Sequence, residues 1–378
     1  MWEYAGRTCI EGQDCTPKRY LWTDAFALFN LLNLFDKRGE EKYIKQALQL
    51  IEQVHHILGK HREDDSRNGW ISGLSGEKGE QHPTIGGLRI GKQRNERRMD
   101  EPYDERAEWE QDGQYYHYLT KWMHALNLAS ETTNDPKYRQ WALELARTAY
   151  EKFTYDTPTG TKRMYWKMSI DLTYPLVPSM GQHDALDGYI TYMELKGNGS
   201  GEKDLPEALL LNTPIESLWQ MAQAVSWESD DPLGIGGLLS DACILAQMIV
   251  KYKKLELSDV LYGILVHSLQ GIKAFMQTET LKYPAKYRLA FRELGLSIGL
   301  HGISKMKGLL DQHAGRFTEP VRMGEVLDEL EAYAPLCDYI EKFWLESENR
   351  KSPAWIEHLD INSVMLATSL DPDGYLRI

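Results

Sequence analysis

The chain has 378 residues, 42% of them hydrophobic, with 56 acidic against 43 basic side chains and a formal net charge of −13. That length and apolar content can bury a sizeable core. So acidic a balance disfavours nucleic acid and anionic membrane surfaces as partners, and it permits a neutral or cationic ligand.

No Ser/Gly/Pro-rich tract separates two differently composed halves, so a single domain over 1–378 is expected. Cys9 and Cys15 are close enough to bridge, and a reduced pair in a loose N-terminal arm is the expectation. The opening residues lack a basic flank followed by an apolar run, and no segment reaches about 18 apolar residues without charge. Neither a signal peptide nor a membrane span is therefore expected, and the default compartment is cytoplasmic.

In chain order, the segment 22–35 is apolar on nearly every side, as in a helix buried all round. The next, 40–58, carries apolar residues at helical spacing with Glu, Lys and Gln between, and faces water on one side. A polar, glycine-punctuated stretch over 59–107 reads as an ordered flap, with short strands at 69–74 and 86–91. Helices follow at 109–130 and 135–153. The alternation around 161–178 predicts a hairpin insertion within 155–181. Further helices are expected from Gln182, after Pro214, over 237–254 and 258–278, from Pro284 to about His301, over 321–346 and over 361–370.

Odd-numbered helices in this series are apolar all round, and most even-numbered ones are one-sided. An inner ring of enclosed helices inside an outer, half-wet ring meets that pattern: an all-α (α/α)6 toroid, or six-hairpin barrel. An α-solenoid is the alternative and would require more uniform repeats. Six of the segments open on a polar or charged knot, near 22–24, 108–114, 182–187, 236–241, 287–293 and 358–362.

The openings Leu21-Trp22-Thr23-Asp24-Ala25-Phe26, Glu108-Trp109-Glu110-Gln111-Asp112-Gly113-Gln114 and Gly181-Gln182-His183-Asp184 give the chain a resemblance. It resembles the six-hairpin toroid superfamily, which includes many glycosidases and the N-acylglucosamine 2-epimerase-like sugar isomerases. The resemblance spans nearly the whole chain as architecture. It implies a site in the funnel at one end of the inner ring and action on carbohydrate. Two departures stand out: eleven helices are counted instead of twelve, which leaves the last hairpin incomplete or closed by a terminal segment, and no subfamily's catalytic motif matches residue by residue.

Three carboxylates, Glu108, Glu110 and Asp112, crowd one helix opening, where the helix dipole favours anions. Gly113 after them allows close approach of a ligand, and Gln114 can bind hydroxyls. The plain alternative is helix capping by solvated acids. Gln182, His183, Asp184 and Asp187 form a second cluster, in which a histidine beside carboxylates can be tuned as an acid or base. Asp184 and Asp187, three apart, share a helix face. Asp241, Arg292, Glu293 and His301 interrupt apolar helices and require partners, and an Arg292–Glu293 network is expected. His358 and Asp360 open the last helix, where Asp360 is also a good cap. Trp22 and Asp24 open the first, with Asp24 expected to hold hydroxyls. Trp70, Arg89, Trp166 and Lys167 stand on the flap and hairpin and could close over a substrate, although ordinary loop packing is the better reading of each.

No metal site is expected: His55, His56 and His61 lack ligand spacing. No cofactor is expected either, because Gly86-Gly87-Leu88-Arg89-Ile90-Gly91 sits in no strand–loop–helix unit and no serine lies in a nucleophile elbow. The leading expectation is a glycoside hydrolase acting on a mono- or oligosaccharide, with Asp112 and either Asp184 or Asp187 as the two carboxyls. A sugar epimerase or isomerase using His183, His301 or His358 is the alternative, and a non-catalytic glycan- or protein-binding toroid is the third.

Overall fold

The computed structural model describes residues 1–10, 15–197 and 206–378. The chain is mostly helical, with two small sheets, and its contacts divide it into two compact units, residues 2–225 and 226–378.

The first unit contains α1 (Trp2–Arg7), α2 (Leu21–Arg38), α3 (Glu41–Leu58), α4 (Gly76–Gln81), α5 (Glu105–Glu110), β1 (Gln114–Tyr115), α6 (Tyr116–Thr133) and α7 (Pro136–Phe153). It continues with β2 (Thr154–Asp156), β3 (Lys162–Met164), β4 (Lys167–Met168), β5 (Pro175–Val177), α8 (Asp184–Lys196) and α9 (Asn212–Gln223). Helices α2, α6 and α8 pack side by side, and each carries its successor, α3, α7 or α9. Burial follows the sequence pattern. Every residue of α8 from Asp184 to Leu195 is buried, whereas α3 buries the spaced set Tyr43, Ala47, Leu50, Ile51, Val54 and Leu58. Left-handed Gly39 and Asn134 end α2 and α6, and the Asp135 side chain caps α7 ahead of Pro136.

The second unit contains α10 (Pro232–Tyr252), α11 (Ser258–Gln277), α12 (Ala290–Gln312), α13 (Pro320–Glu331), α14 (Pro335–Leu345), α15 (Pro353–Glu357) and α16 (Leu359–Leu370). Helix α12 is its centre, packed on α10, α13, α14 and α16. Its backbone meets that of α10 directly: a Cβ on Gly299 would lie 2.5 Å from the Gly236 carbonyl oxygen, so glycines set the approach. By length and composition α10 is the one helix among the described residues that could cross a membrane, and most of it is buried.

Several expectations are corrected. Residues 69–74 and 86–91 form no strands. The first segment contributes one isolated bridge, Lys60 to Trp70, and the second is held by single backbone bonds such as Ile90 N–H to Gly113. The hairpin region makes two sheets instead of one, β2–β3 and β1–β4–β5. The expected helix over 321–346 is two helices, because Pro335 lacks the N–H to continue the first and starts the second. Cys9 and Cys15 are joined in a disulfide. Arg292 and Glu293 do not form one network: Arg292 pairs with Asp231 at 2.6 Å, while Glu293 takes both Arg288 (2.6 Å) and the Trp344 indole (2.8 Å).

A polar knot ties three helices of the second unit. Glu341 Oε1 on α14 accepts from Ser297 (2.9 Å) and His301 (2.7 Å) of α12 and from Ser369 (2.6 Å) of α16. The Cys337 thiol and the Glu341 carboxylate raise the His301 imidazole from 6.5 to about 10. Its charged form therefore stabilises the fold fully below about pH 6.5, and that contribution is lost as the pH rises through about 10. Denaturant unfolding at pH 7 and pH 10 is expected to show a larger loss of stability in the wild type than in His301→Gln.

Candidate active site

Helices α6 and α8 face each other through a ladder of polar pairs. His117, Thr120, Lys121 and His124 lie on one face of α6 by their three- and four-residue spacing, and Asp184, Asp187 and Glu194 lie on the facing side of α8. Two rungs are closed. Asp187 accepts from Thr120 Oγ1 at 2.5 Å and from Lys121 Nζ at 2.7 Å. Glu194 accepts from His124 at 2.8 Å and from Asn127 at 2.9 Å.

The first rung is open. Asp184 Oδ1 lies 3.8 Å from His117 Nδ1, beyond hydrogen-bond range, and the carboxyl is 9% exposed. Three buried polar atoms there have no hydrogen-bond partner: Asp184 Oδ2, His117 Nδ1 and Trp22 Nε1. Buried polar groups are paired in almost all native structures, so three unpaired ones together mark a place prepared for a ligand or ordered water. Burial, followed by the Asp187 charge, pushes the Asp184 carboxyl from 3.8 up to about 7, with Lys121 opposing. Burial also pulls the half-buried His117 imidazole below its ordinary value, to about 4. Near neutrality the rung thus pairs a half-protonated acid with a neutral imidazole. Gly181 allows this placement, because a Cβ on it would overlap the Asp184 carboxyl.

An aromatic wall runs from the open rung outward. Trp166 stacks on His117 with centroids 6.1 Å apart and planes 12° from parallel, and Trp22 meets the same ring edge-on at 6.1 Å. Tyr118 lies 4.9 Å from His117 and 5.2 Å from Trp22. Tyr115 touches Trp166 at 5.1 Å, and Trp166 meets the half-exposed Trp109 at 5.6 Å. The small sheet explains how: pairing of Gln114 with Met168 and of Tyr115 with Lys167 brings the residue before β4, Trp166, over the first turn of α6.

The other acid-rich openings serve the fold. The expected helix start at 108–114 is interrupted: α5 ends at Glu110, Gly113 has φ +144°, and β1 intervenes before α6. A Cβ on Gly113 would also meet the Met168 carbonyl at 2.7 Å, so this glycine permits chain packing and not ligand approach. Asp112 is fully buried and saturated. Oδ2 takes Arg89 (2.9 Å) and Arg62 (3.2 Å), and Oδ1 takes the Gly91 and Gly113 N–H groups. The reading of Asp112 as a catalytic carboxyl is corrected accordingly, and that of Arg89 as a substrate clamp with it. Gln114 likewise holds no hydroxyls, since its amide bridges Leu88, Gly86 and Ile170. Glu108 is tied by Lys167 (2.7 Å) and Arg97 (3.0 Å), and the Lys167 ammonium is enclosed with the Glu108 and Gln111 carbonyls. Glu110 is exposed and pairs with Arg94. Asp24 is fully buried against Arg19 (3.2 Å) and the Tyr4 hydroxyl (2.9 Å), which corrects its assignment to substrate hydroxyls. Trp70 packs inside the flap, on Gly79 and under the Lys60 ammonium.

His183 is the N-terminal flanking residue of α8, and Gln182 beside it is exposed. In the unit 226–378, Asp241 is buried within α10, His301 belongs to the Glu341 knot, His358 precedes α16 against the Phe291 ring, and Asp360 lies in the first turn of α16. No group of three or more metal-ligating side chains is placed to hold an ion among the described residues.

No protein-family model and no curated protein matches this chain. Its chemistry therefore rests on the residues themselves. Sequence reasoning named Trp22, Trp166, Asp184 and Asp187 but missed His117, Tyr118 and Lys121. The run Tyr115-Tyr116-His117-Tyr118 was the available signal: three tyrosines around a histidine directly after a polar knot.

Two outcomes follow from the ionisations. Between about pH 4 and pH 7 the folded protein keeps a proton on Asp184 that the unfolded chain has released, so this group's contribution to stability falls as pH rises through that window. Asp184→Asn is expected to flatten that slope and to exceed the wild type at pH 8 by about 2–4 kcal/mol in denaturant unfolding. Asp112→Asn leaves the buried Arg89 guanidinium without its carboxylate, while Arg62 keeps Asp64, and is expected to lose about 3–5 kcal/mol by the same measurement.

Proposed function

We propose that this protein is a carbohydrate-active enzyme, a glycoside hydrolase, with Asp184 as its proton donor. The observation that carries this reading is the open rung: a buried carboxyl with an unpaired oxygen, held at about 7, beside a neutral imidazole and a wall of flat aromatic faces. Trp166, partly exposed, supplies a surface on which a sugar ring of a mono- or oligosaccharide stacks, and the buried Trp22 directs its indole N–H toward the site. Asp184 gives its proton to the glycosidic oxygen as the carbon–oxygen bond breaks. Water adds to the anomeric carbon, and its proton returns to Asp184 through His117 Nδ1, so both groups end as they began. Asp187, pinned by Thr120 and Lys121, contributes a fixed negative charge to the cationic transition state and keeps the Asp184 proton in place.

The six-hairpin toroid belongs to the same proposal. It is supported by the hairpins α2/α3, α6/α7 and α8/α9 in one unit and by α10/α11 and α12/α13 in the other.

Asp184→Asn is expected to lower kcat by about 10²–10⁴ on whichever glycoside is cleaved. In the wild type, activity should fall as pH rises through about 7. Release of new reducing ends from a panel of oligosaccharides checks both, and undiminished turnover by Asp184→Asn removes the assignment. One observation favours epimerisation or isomerisation as a second reading: a neutral histidine with an unpaired nitrogen suits abstraction of a proton next to a carbonyl. Incubating reducing sugars in deuterated water separates the two, since deuterium at carbon marks isomerisation and a new reducing end marks hydrolysis.

A further inference from the structure

Lys92 follows directly after Gly91, whose N–H is bonded to Asp112 at 2.9 Å. Its ammonium lies 5.3 Å from the centroid of the Tyr20 ring, and among the described residues it has no hydrogen bond or ion pair. The carboxylates around it are already taken: Asp112 by Arg89 and Arg62, Glu108 by Lys167 and Arg97, and Glu110 by Arg94. Burial and the Lys167 ammonium together depress Lys92 below the ordinary lysine value, against the weaker pull of Asp112 and Glu110. A partly buried ammonium with no countercharge is unusual, and in a chain of net charge −13 it is the more so.

The place of Lys92 gives that charge a use. The Tyr20 ring beneath it is bonded through its hydroxyl to the Tyr118 hydroxyl at 2.7 Å, and Tyr118 touches both His117 and Trp22. Lys92 thus stands at one end of the aromatic wall that has the Asp184–His117 rung at the other. We propose that Lys92 binds an anionic group, carboxylate or phosphate, carried by the sugar whose reacting bond lies at Asp184. This inference rests on the carbohydrate reading of the site and names its substrate class: an acidic saccharide such as a uronate or a sugar phosphate. Tyr20 and Tyr118, joined through their hydroxyls, lie between the two ends.

Binding to the Asp184→Asn protein tests this without turnover, by calorimetry or by the fluorescence of the tryptophan wall. The probes are glucuronate, glucose 6-phosphate and glucose, with the corresponding galactose series. An anionic member is expected to bind about 10-fold or more tightly than its neutral counterpart, and the stronger of the uronate and phosphate arms identifies the group. A second substitution, Lys92→Met, should remove that advantage while leaving the neutral sugar's affinity in place, and Lys92→Arg should restore most of it. Equal affinity for neutral and anionic sugars, or an advantage that survives Lys92→Met, overturns the anionic subsite and leaves the carbohydrate reading standing. Failure of every sugar to bind overturns both.

Discussion

The region around the open rung depends on one constraint: α8 can bury its carboxylates against α6 only where α6 presents donors to them. Taking a carboxylate out of water costs several kcal/mol unless its lone pairs are matched. Asp187 and Glu194 are matched, by Thr120 with Lys121 and by His124 with Asn127. These two closed rungs set the register of the helices. Given that register, Asp184 falls opposite a histidine too far away to donate to it. Because both groups stand on helices and not on loops, the gap between them is held in place by the packing below.

The same electrostatics divides the remaining acids into two kinds. Asp112, Glu108 and Asp24 each meet at least one buried cation, and the first two join distant parts of the chain through it. Such pairs are weak sources of net stability, but removing one partner is expensive, so they act as ties that fix loop positions. The Asp112 tie brings the flap to the strand before α6 through Arg89, Arg62 and Gly91. Asp184 is the other kind. The nearest cation, Lys121, is bound to Asp187, and the proximity of that second carboxylate raises Asp184 further. Burial, with that neighbouring charge, is what holds this acid well above the ordinary carboxylate range.

Much of the helical framework was legible in the chain. The all-round apolarity of α2 and α8 and the one-sided pattern of α3 and α7 came through because burial and helical period act locally. The Asp184–Asp187 spacing placed both acids on one face for the same reason. Other features escaped that logic. Periodicity runs straight through Gly113 and Pro335, yet the chain breaks at both, one because β1 must pair with β4 and the other because proline cannot continue a helix. Acid density at 108–114 drew attention as a site, although crowding of carboxylates says nothing about the arginines that will meet them.

The sequence by itself determined the class of the molecule, the positions of its enclosed helices and the presence of acids and aromatics at their openings. These depend on composition and on neighbours within a few residues. Only the tertiary structure decided which of those acids is neutralised and which is left open. That outcome depends on partners far along the chain, 23 residues away for Arg89 and Asp112 and 66 for Lys121 and Asp187, and no local pattern carries such distances.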